Sequence, residues 1–306
     1  MAIGIRKSEG SKQAGKAPIY IYDADQRWGT WQQRLEELIH YRYLLRNLVV
    51  RDLKARYKNS LLGIMWSLLN PLGLMIVFTV VFSVMSRFNN NTRYYAVFVL
   101  VGLVPWTFFT GALHSGAVSV VGNVGLVKKV YFPRELLPVT ALLSNLVNFS
   151  ISFLLIILFL FIFGIGLSRH ILWVPAILIT QLTFMLGLIM FVSALTVFFR
   201  DILMILDVLL TAWFFATPIF YPLEDLERPL TILGTTLNSA QVMRWINPMA
   251  SIIDGYRTVL WGTRFSNGPV SMDPSYLLRT FITSAIILVL GYLFFLRAEP
   301  LFGEKL

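Results

Sequence analysis

Chemistry at a protein site needs titratable, nucleophilic or metal-ligating groups held close together, and in this chain of 306 residues such groups are sparse. The three histidines, His40, His114 and His170, lie far apart along the chain. There is no cysteine, which removes thiolate catalysis, disulfides and Cys-based metal sites. No Gly-x-x-x-x-Gly-Lys-Ser/Thr run is present, so the chain has no loop of the kind that cradles nucleotide phosphates. An integral membrane glycosyl- or acyltransferase would need clustered acids or a His/acid pair at the membrane surface, and Glu224, Asp225, Glu227, Asp254 and Asp273 do not make such a cluster. Asp207 is the one acid well inside an apolar run, which makes it a functional candidate by default. It lies under two helical turns from Asp201, so a solvated position toward the end of that run is the alternative reading, and one acid is too few for a proton-driven pump.

What the sequence offers instead is rings and basic clusters. There are 24 Phe, 12 Tyr and 8 Trp. Rings along a channel wall suit sugars, whose C–H faces stack on them without needing charge. The candidate lining is Trp66 with Trp213, Phe214, Phe215, Phe220 and Tyr221, the last five beside a Thr217-Pro218 break. Aromatic belts at the membrane interfaces are the competing account, and Trp66, Trp106, Trp173, Trp245 and Trp261 all read as lying near span ends. The basic clusters are Arg51, Lys54, Arg56 and Lys58 before the first apolar run, and Lys128, Lys129 and Arg134 between the second and third.

The elements that carry these residues are membrane spans. The chain is 57% hydrophobic and 14% charged, with a mean hydropathy of +0.70. A soluble domain carries about 25% charged residues, so the excess of apolar residues points to one domain facing lipid. Apolar runs of the roughly 20 residues needed to cross a bilayer fall at 64–85, 94–118, 139–165, 172–199, 202–221 and 276–296. The fold class expected is therefore an all-α integral membrane protein of about six transmembrane helices. Phe199-Arg200-Asp201 is a tight turn between the fourth and fifth. With the N-terminus inside, 18 of the 26 Lys and Arg residues fall on the cytoplasmic side, which also accounts for the formal charge of +10 without nucleic acid. No cleavable signal opens the sequence, and residues 1–15 are polar and expected to be disordered.

Three segments outside the spans carry further information, and the organisation expected is an extension (1–30), an interface helix (31–60) and a transmembrane domain (61–306). On a helix over 31–60, Trp31, Leu35, Leu38, Leu45, Val49 and Leu53 share one face, with Arg42 and Arg56 intruding on it. That pattern suits a helix at the headgroups whose long basic side chains snorkel, serving as an anchor for the first span or a contact surface for a partner. In the loop 121–138, Asn123 can cap a short helix, and Pro133 and Pro138 restart the chain toward the next span. In 222–275, Asn247-Pro248 is a helix-start signal followed by Met249, Ile252, Ile253, Tyr256, Val259 and Leu260 at helical spacing. Backbone broken at membrane depth must be covered by protein or face water. Short re-entrant helices at an outer mouth, or a loop lying on the headgroups, both satisfy that requirement.

Taken in order, several runs resemble one family. They are Arg51-Asp-Leu-Lys54-Ala-Arg56-Tyr57-Lys58-Asn-Ser60 through Trp66, then Asn70-Pro71 and Lys128-Lys129-Val-Tyr-Phe-Pro133-Arg134-Glu135-Leu-Leu-Pro138. Phe199-Arg200-Asp201, Thr217-Pro218-Ile-Phe-Tyr221, Asn247-Pro248 leading to Tyr256-Arg257, and the Phe-Gly-Glu-Lys-Leu tail follow. Over about residues 31–306 the chain is similar to the permease subunit of ABC-2-type polysaccharide exporters. That resemblance implies a homodimer of permeases in a bacterial cytoplasmic (inner) membrane, with both termini cytoplasmic. It implies two copies of a separate ATPase that carries the Mg-ATP, no cofactor in this chain, and an undecaprenyl-linked glycan such as O-antigen, capsule or teichoic acid as cargo. It also implies that Asn123, Val127, Lys128, Lys129, Arg134 and Glu135 belong to an ATPase-coupling helix and its surroundings. Arg51, Lys54, Arg56 and Lys58 would belong to the interface helix beside it. A permease for a drug or a lipid would share the topology.

Overall fold

A computed structural model describes residues 40–306 except 86–93, 131, 227–228, 233–234, 264–265 and 267; the side chains at 83–85 and 229–237 are also outside the description. The expectations for residues 1–30 and for Trp31, Leu35 and Leu38 fall outside it too. Tyr43–Leu306 is one compact unit. In chain order its helices are α1 (Arg42–Tyr57), α2 (Trp66–Met85), α3 (Tyr95–Ala117), α4 (Val124–Lys129), α5 (Leu136–Ile162), α6 (Val174–Phe198) and α7 (Ile202–Phe215). A short antiparallel hairpin, β1 (Pro229–Ile232) with β2 (Thr235–Asn238), precedes α8 (Ser239–Ile246), α9 (Pro248–Leu260), α10 (Pro274–Ala298) and α11 (Phe302–Lys305).

Five of these, α2, α3, α5, α6 and α10, are long and apolar enough to cross a bilayer, so the chain is an all-α, multi-pass membrane protein. The fifth expected span departs from a regular helix. α7 has 14 residues, about 21 Å of rise against a hydrocarbon core of about 30 Å, and the remainder of the run, 216–221, is irregular. The physical cause is Thr217-Pro218: proline has no N–H to continue the ladder and pushes the residue before it out of helical backbone.

α3 is the centre of the fold. It packs on α2, α5, α6, α7 and α9, and its buried face runs from Tyr95 to Ala117. α6 and α10 approach most closely. A Cβ on Gly187 of α6 would stand 2.6 Å from the Leu288 backbone, and one on Gly291 of α10 would land on the Gly187 carbonyl. Bare backbone at both positions is what lets two membrane helices touch over a long contact. α5 ends where Gly164 takes a left-handed φ of 71° and the Gly164 and Ile165 amides turn back onto Phe161 and Leu160.

α9 does not lie flat on a surface. Met249, Ile252, Ile253, Tyr256, Val259 and Leu260 are all buried, and so are Ser251, Gly255 and Arg257 on other faces. The helix is wedged against α3, α6 and α10, which favours the re-entrant expectation over a loop on the headgroups.

Candidate functional site

Three constellations stand out, and each combines residues that the sequence holds far apart.

The first surrounds α4. Val127 is buried and pins the helix, whereas Lys128 and Lys129 are exposed in its last turn, where positive charge suits the helix C-terminus. Asn123 stands at the N-terminal boundary but does not cap it. Its side-chain amide donates backward to the Ser119 carbonyl at 2.7 Å, because the preceding 3-10 turn leaves that carbonyl within reach. Arg134 and Glu135 face inward. Arg134 donates to the Glu299 carbonyl, and buried Glu135 accepts from the Tyr292 hydroxyl at 3.2 Å. α11 packs on both α4 and α6, with Phe302 fully buried against Phe295 and near Phe198. The short helix thus sits on a brace made from the chain's C-terminus and the foot of α10.

The second is the break after α7. Four carbonyls there meet side-chain donors. Asn247 donates to Ala216 O at 3.4 Å and to Thr217 Oγ1 at 2.9 Å; Arg257 donates to Pro218 O and Ile219 O; Tyr95 donates to Phe220 O at 2.9 Å. The same Asn247 side chain accepts from Ala250 N, capping α9 as its position before Pro248 predicts, and from Trp213 Nε1 at 2.9 Å. Arg257 is itself buried, its guanidinium 3.7 Å from the Phe98 ring centroid, and Gly102 leaves the room it needs. On the rim of this region Arg244 pairs with Asp254 at 2.8 Å; burial pushes the Asp254 carboxyl above the ordinary range and Arg244 pulls it back. At the start of α10, the Ser275 amide holds the Asp273 carboxyl below the ordinary range.

The aromatic candidates divide here. Phe220 is buried in the protomer, 4.4 Å from Phe78 and 5.0 Å from both Phe82 and Phe214 between ring centroids. Trp213 packs on Phe109 and Phe184. Phe214 and Tyr221 are half-buried, and Phe215 and Trp66 are exposed, at 68% and 53%. Two of the belt tryptophans are core residues instead: Trp106 lies mid-way along α3 and Trp261 packs on Phe98, both nearly enclosed. α7 turns a broad face outward that includes Met204, Val208 and Leu209, and α2 does so at Ile76, Val77 and Val80.

The third constellation is a polar cleft of about 400 Å³ where α1 meets α2, α3 and α5. The apolar stripe of α1 is half-buried at Leu45, Val49 and Leu53 and centred on buried Leu48. Beyond it Arg56 reaches into the bundle, donating to Asn145 Oδ1 at 3.0 Å and Ser115 Oγ at 3.2 Å. The Tyr57 hydroxyl meets Ser67 Oγ at 2.6 Å and Asn148 Oδ1 at 2.7 Å. Ser152 donates to Ser67 O at 2.7 Å, the carbonyl that Pro71 leaves without its helical partner. Lys54 and Lys58 stay exposed, and among the described residues Arg51 pairs only with its neighbour Asp52 at 2.8 Å. The cleft was legible in α5, where Asn145, Asn148 and Ser152 repeat at helical spacing in an otherwise apolar span.

The structure also revises the reading of the histidines. His114 Nε2 of α3 lies 3.3 Å from Asp207 Oδ1 of α7, a pair made by helix packing and invisible along the chain. Both groups are well exposed in the protomer, Asp207 the more so.

Comparison with known proteins bears on what this arrangement serves. The family description "ABC-2 type transporter" matches residues 43–261, most of the compact unit. The chain belongs to the ABC-2 transporter family. Among curated proteins, this ABC-2 chain is 36% identical over 230 residues to the O-antigen export system permease protein RfbA of Myxococcus xanthus, covering 75% of this chain and 85% of the relative. It is 30% identical over 268 residues to the O-antigen export system permease protein RfbA of Klebsiella pneumoniae, covering 86% of this chain and 96% of that protein. As an ABC-2 permease the chain is a transport subunit, and the matched region contains all three constellations apart from the α10–α11 brace and the Asp273 cap.

Proposed function

We propose that this ABC-2 chain is the membrane half of an exporter for an undecaprenyl-linked polysaccharide, worked by a separate ATPase that binds and hydrolyses Mg-ATP. Two copies form the pathway, and two ATPase copies dock beneath them at the cytoplasmic membrane, with both termini of the permease on the ATPase side. The observation that carries the coupling role is α4. It is a short helix pinned by Val127 and braced through Arg134, Glu135 and α11, with Lys128 and Lys129 projecting from it. A lever of this kind transmits force because its base cannot slide. ATP-driven closure of the partner pushes α4, and the push passes through the brace to α10 and, by way of α10's close contact, to α6.

The outward faces of α2 and α7, with Phe215 and Trp66, support a pathway between the two permeases. Apolar and aromatic walls let a sugar chain slide, since no single position holds it tightly. The cargo reading follows the relatives' names and this lining. A permease for a drug or a lipid would share the topology but lack a long aromatic lining, and export assays with defined cargo separate the two.

The test is co-expression of the full chain with the ATPase encoded beside it, followed by purification in detergent. A complex of two permeases and two ATPases is expected. Lys128→Glu with Lys129→Glu should abolish stimulated ATP hydrolysis by the complex and leave the permease folded. A chain that purifies alone, with no nucleotide-binding partner, overturns the proposal.

A further inference from the structure

The cleft beneath α1 has more hydrogen-bond donors than the described residues satisfy. Arg56 commits two of its five N–H groups, to Asn145 and Ser115, and among the described residues leaves three. Asn148 accepts from Tyr57 through its oxygen, and its amide nitrogen donates to nothing among the described residues. Asn70, exposed on α2 one turn above Trp66, makes no side-chain hydrogen bond among them, and Trp66 borders the mouth with its indole N–H likewise unpaired among them. Among the described residues no carboxylate pairs with Arg56.

The height of the cleft matters as much as its chemistry. Asn145 lies nine residues into α5, about 13 Å along its axis, and Ser115 is two residues from the end of α3. Arg56 therefore stands where headgroups give way to hydrocarbon. A cation and several spare donors there need a polar occupant, since exposing them to acyl chains is costly. Water can fill the volume but cannot balance the charge. Phosphate can do both: it is acceptor-only, anionic, suited to a guanidinium fork, and abundant at that depth on lipid headgroups.

We propose that this cleft is a binding site for the phosphate of a lipid headgroup, with Arg56 as the charged ligand and Asn70 and Asn148 as further donors. Trp66 at the mouth would pack on whatever the phosphate carries. The lipid source is either a bilayer phospholipid or the diphosphate carrier of the cargo. The second source rests on the export reading above; the phosphate site itself does not.

The experiment uses the full-length chain in dodecyl maltoside without any ATPase, and reads lipid adducts by native mass spectrometry. The probes are dioleoylphosphatidylglycerol, undecaprenyl diphosphate, and dioleoylglycerol as a tail without phosphate. At least one phosphate lipid is expected to bind, Arg56→Gln weakening it tenfold or more and Asn70→Ala about threefold, with no such dependence for dioleoylglycerol. Asn70→Ala keeps the test open should Arg56→Gln fail to fold, because Asn70 holds nothing in place. Preference for undecaprenyl diphosphate marks a cargo entry site, and preference for phosphatidylglycerol marks a bilayer-lipid site. Adducts unchanged in both variants, no phosphate adduct, or equal binding of dioleoylglycerol would each overturn the proposal. A chain that binds phosphatidylglycerol through Arg56 but recruits no ATPase would sink the export reading and leave the site standing.

Discussion

Asn247 uses one side-chain amide to hold two elements together. Its oxygen accepts from Trp213 Nε1 and from Ala250 N, and its nitrogen reaches Thr217 Oγ1 and, at longer range, Ala216 O. In Asn247→Ala the α9 cap is lost, which costs about 1 kcal/mol. The partly buried indole N–H of Trp213 loses its acceptor, and an unpaired donor of that kind costs about 1–3 kcal/mol. The 3.4 Å contact to Ala216 adds little. The total is about 3 kcal/mol. Asn238 provides an internal standard, since it caps α8 through Ala240 N at 3.0 Å with no comparable set of further bonds among the described residues. Asn238→Ala should therefore cost about 1 kcal/mol, the value of the cap alone. Asn247→Ser keeps a capping oxygen but cannot reach Trp213, and falls between the two. Unfolded membrane proteins in micelles find substitute partners, which scales all three values down together, so their ratio is the quantity to read. The assay is the folded fraction remaining after graded heating in one detergent, measured by size-exclusion chromatography. Equal losses for Asn247→Ala and Asn238→Ala would refute the argument, because they would mean that Asn247 is only a helix cap.

Two further perturbations follow from the helix contacts. Gly291→Ala and Gly187→Ala should each destabilise the α6–α10 pair by about 2 kcal/mol or more, since the new methyl meets backbone rather than a movable side chain; Gly125→Ala, with open space around it, should leave the same heating curve unmoved. Ser152→Ala should cost about 1 kcal/mol in the native chain but clearly less in a Pro71→Ala background, where Ser67 O regains its helical partner; identical costs in a double-mutant cycle would show that the hydroxyl does not cap that carbonyl.

The span pattern was readable because it is a local property. A run such as 94–118 must be a helix in a bilayer, since its backbone groups have no other donors or acceptors, and the structure places α3 at Tyr95–Ala117. Caps and breaks are local as well: Asn247-Pro248 opens α9 and Thr217-Pro218 ends the fifth run early, both for reasons present in adjacent residues. The family was equally legible, because its motifs are short runs in a set order, and the matched region covers 43–261.

What adjacent residues do not contain is which faces meet. Trp106 and Trp261 look like interfacial rings along the chain and are packed inside it, because α3 is the central helix and α9 is wedged against it. His114 and Asp207 lie 93 positions apart, and Arg56 and Asn145 lie 89 apart; only helix packing brings either pair within bonding distance. Arg257 could be read as one more basic residue in an outer loop, yet it is buried against the carbonyls that a proline left exposed. The reason is common to all of these. Hydropathy and turn chemistry act over a few residues and decide where helices begin and end, whereas pairing polar groups at membrane depth depends on helix rotation and contact, which the whole bundle decides at once.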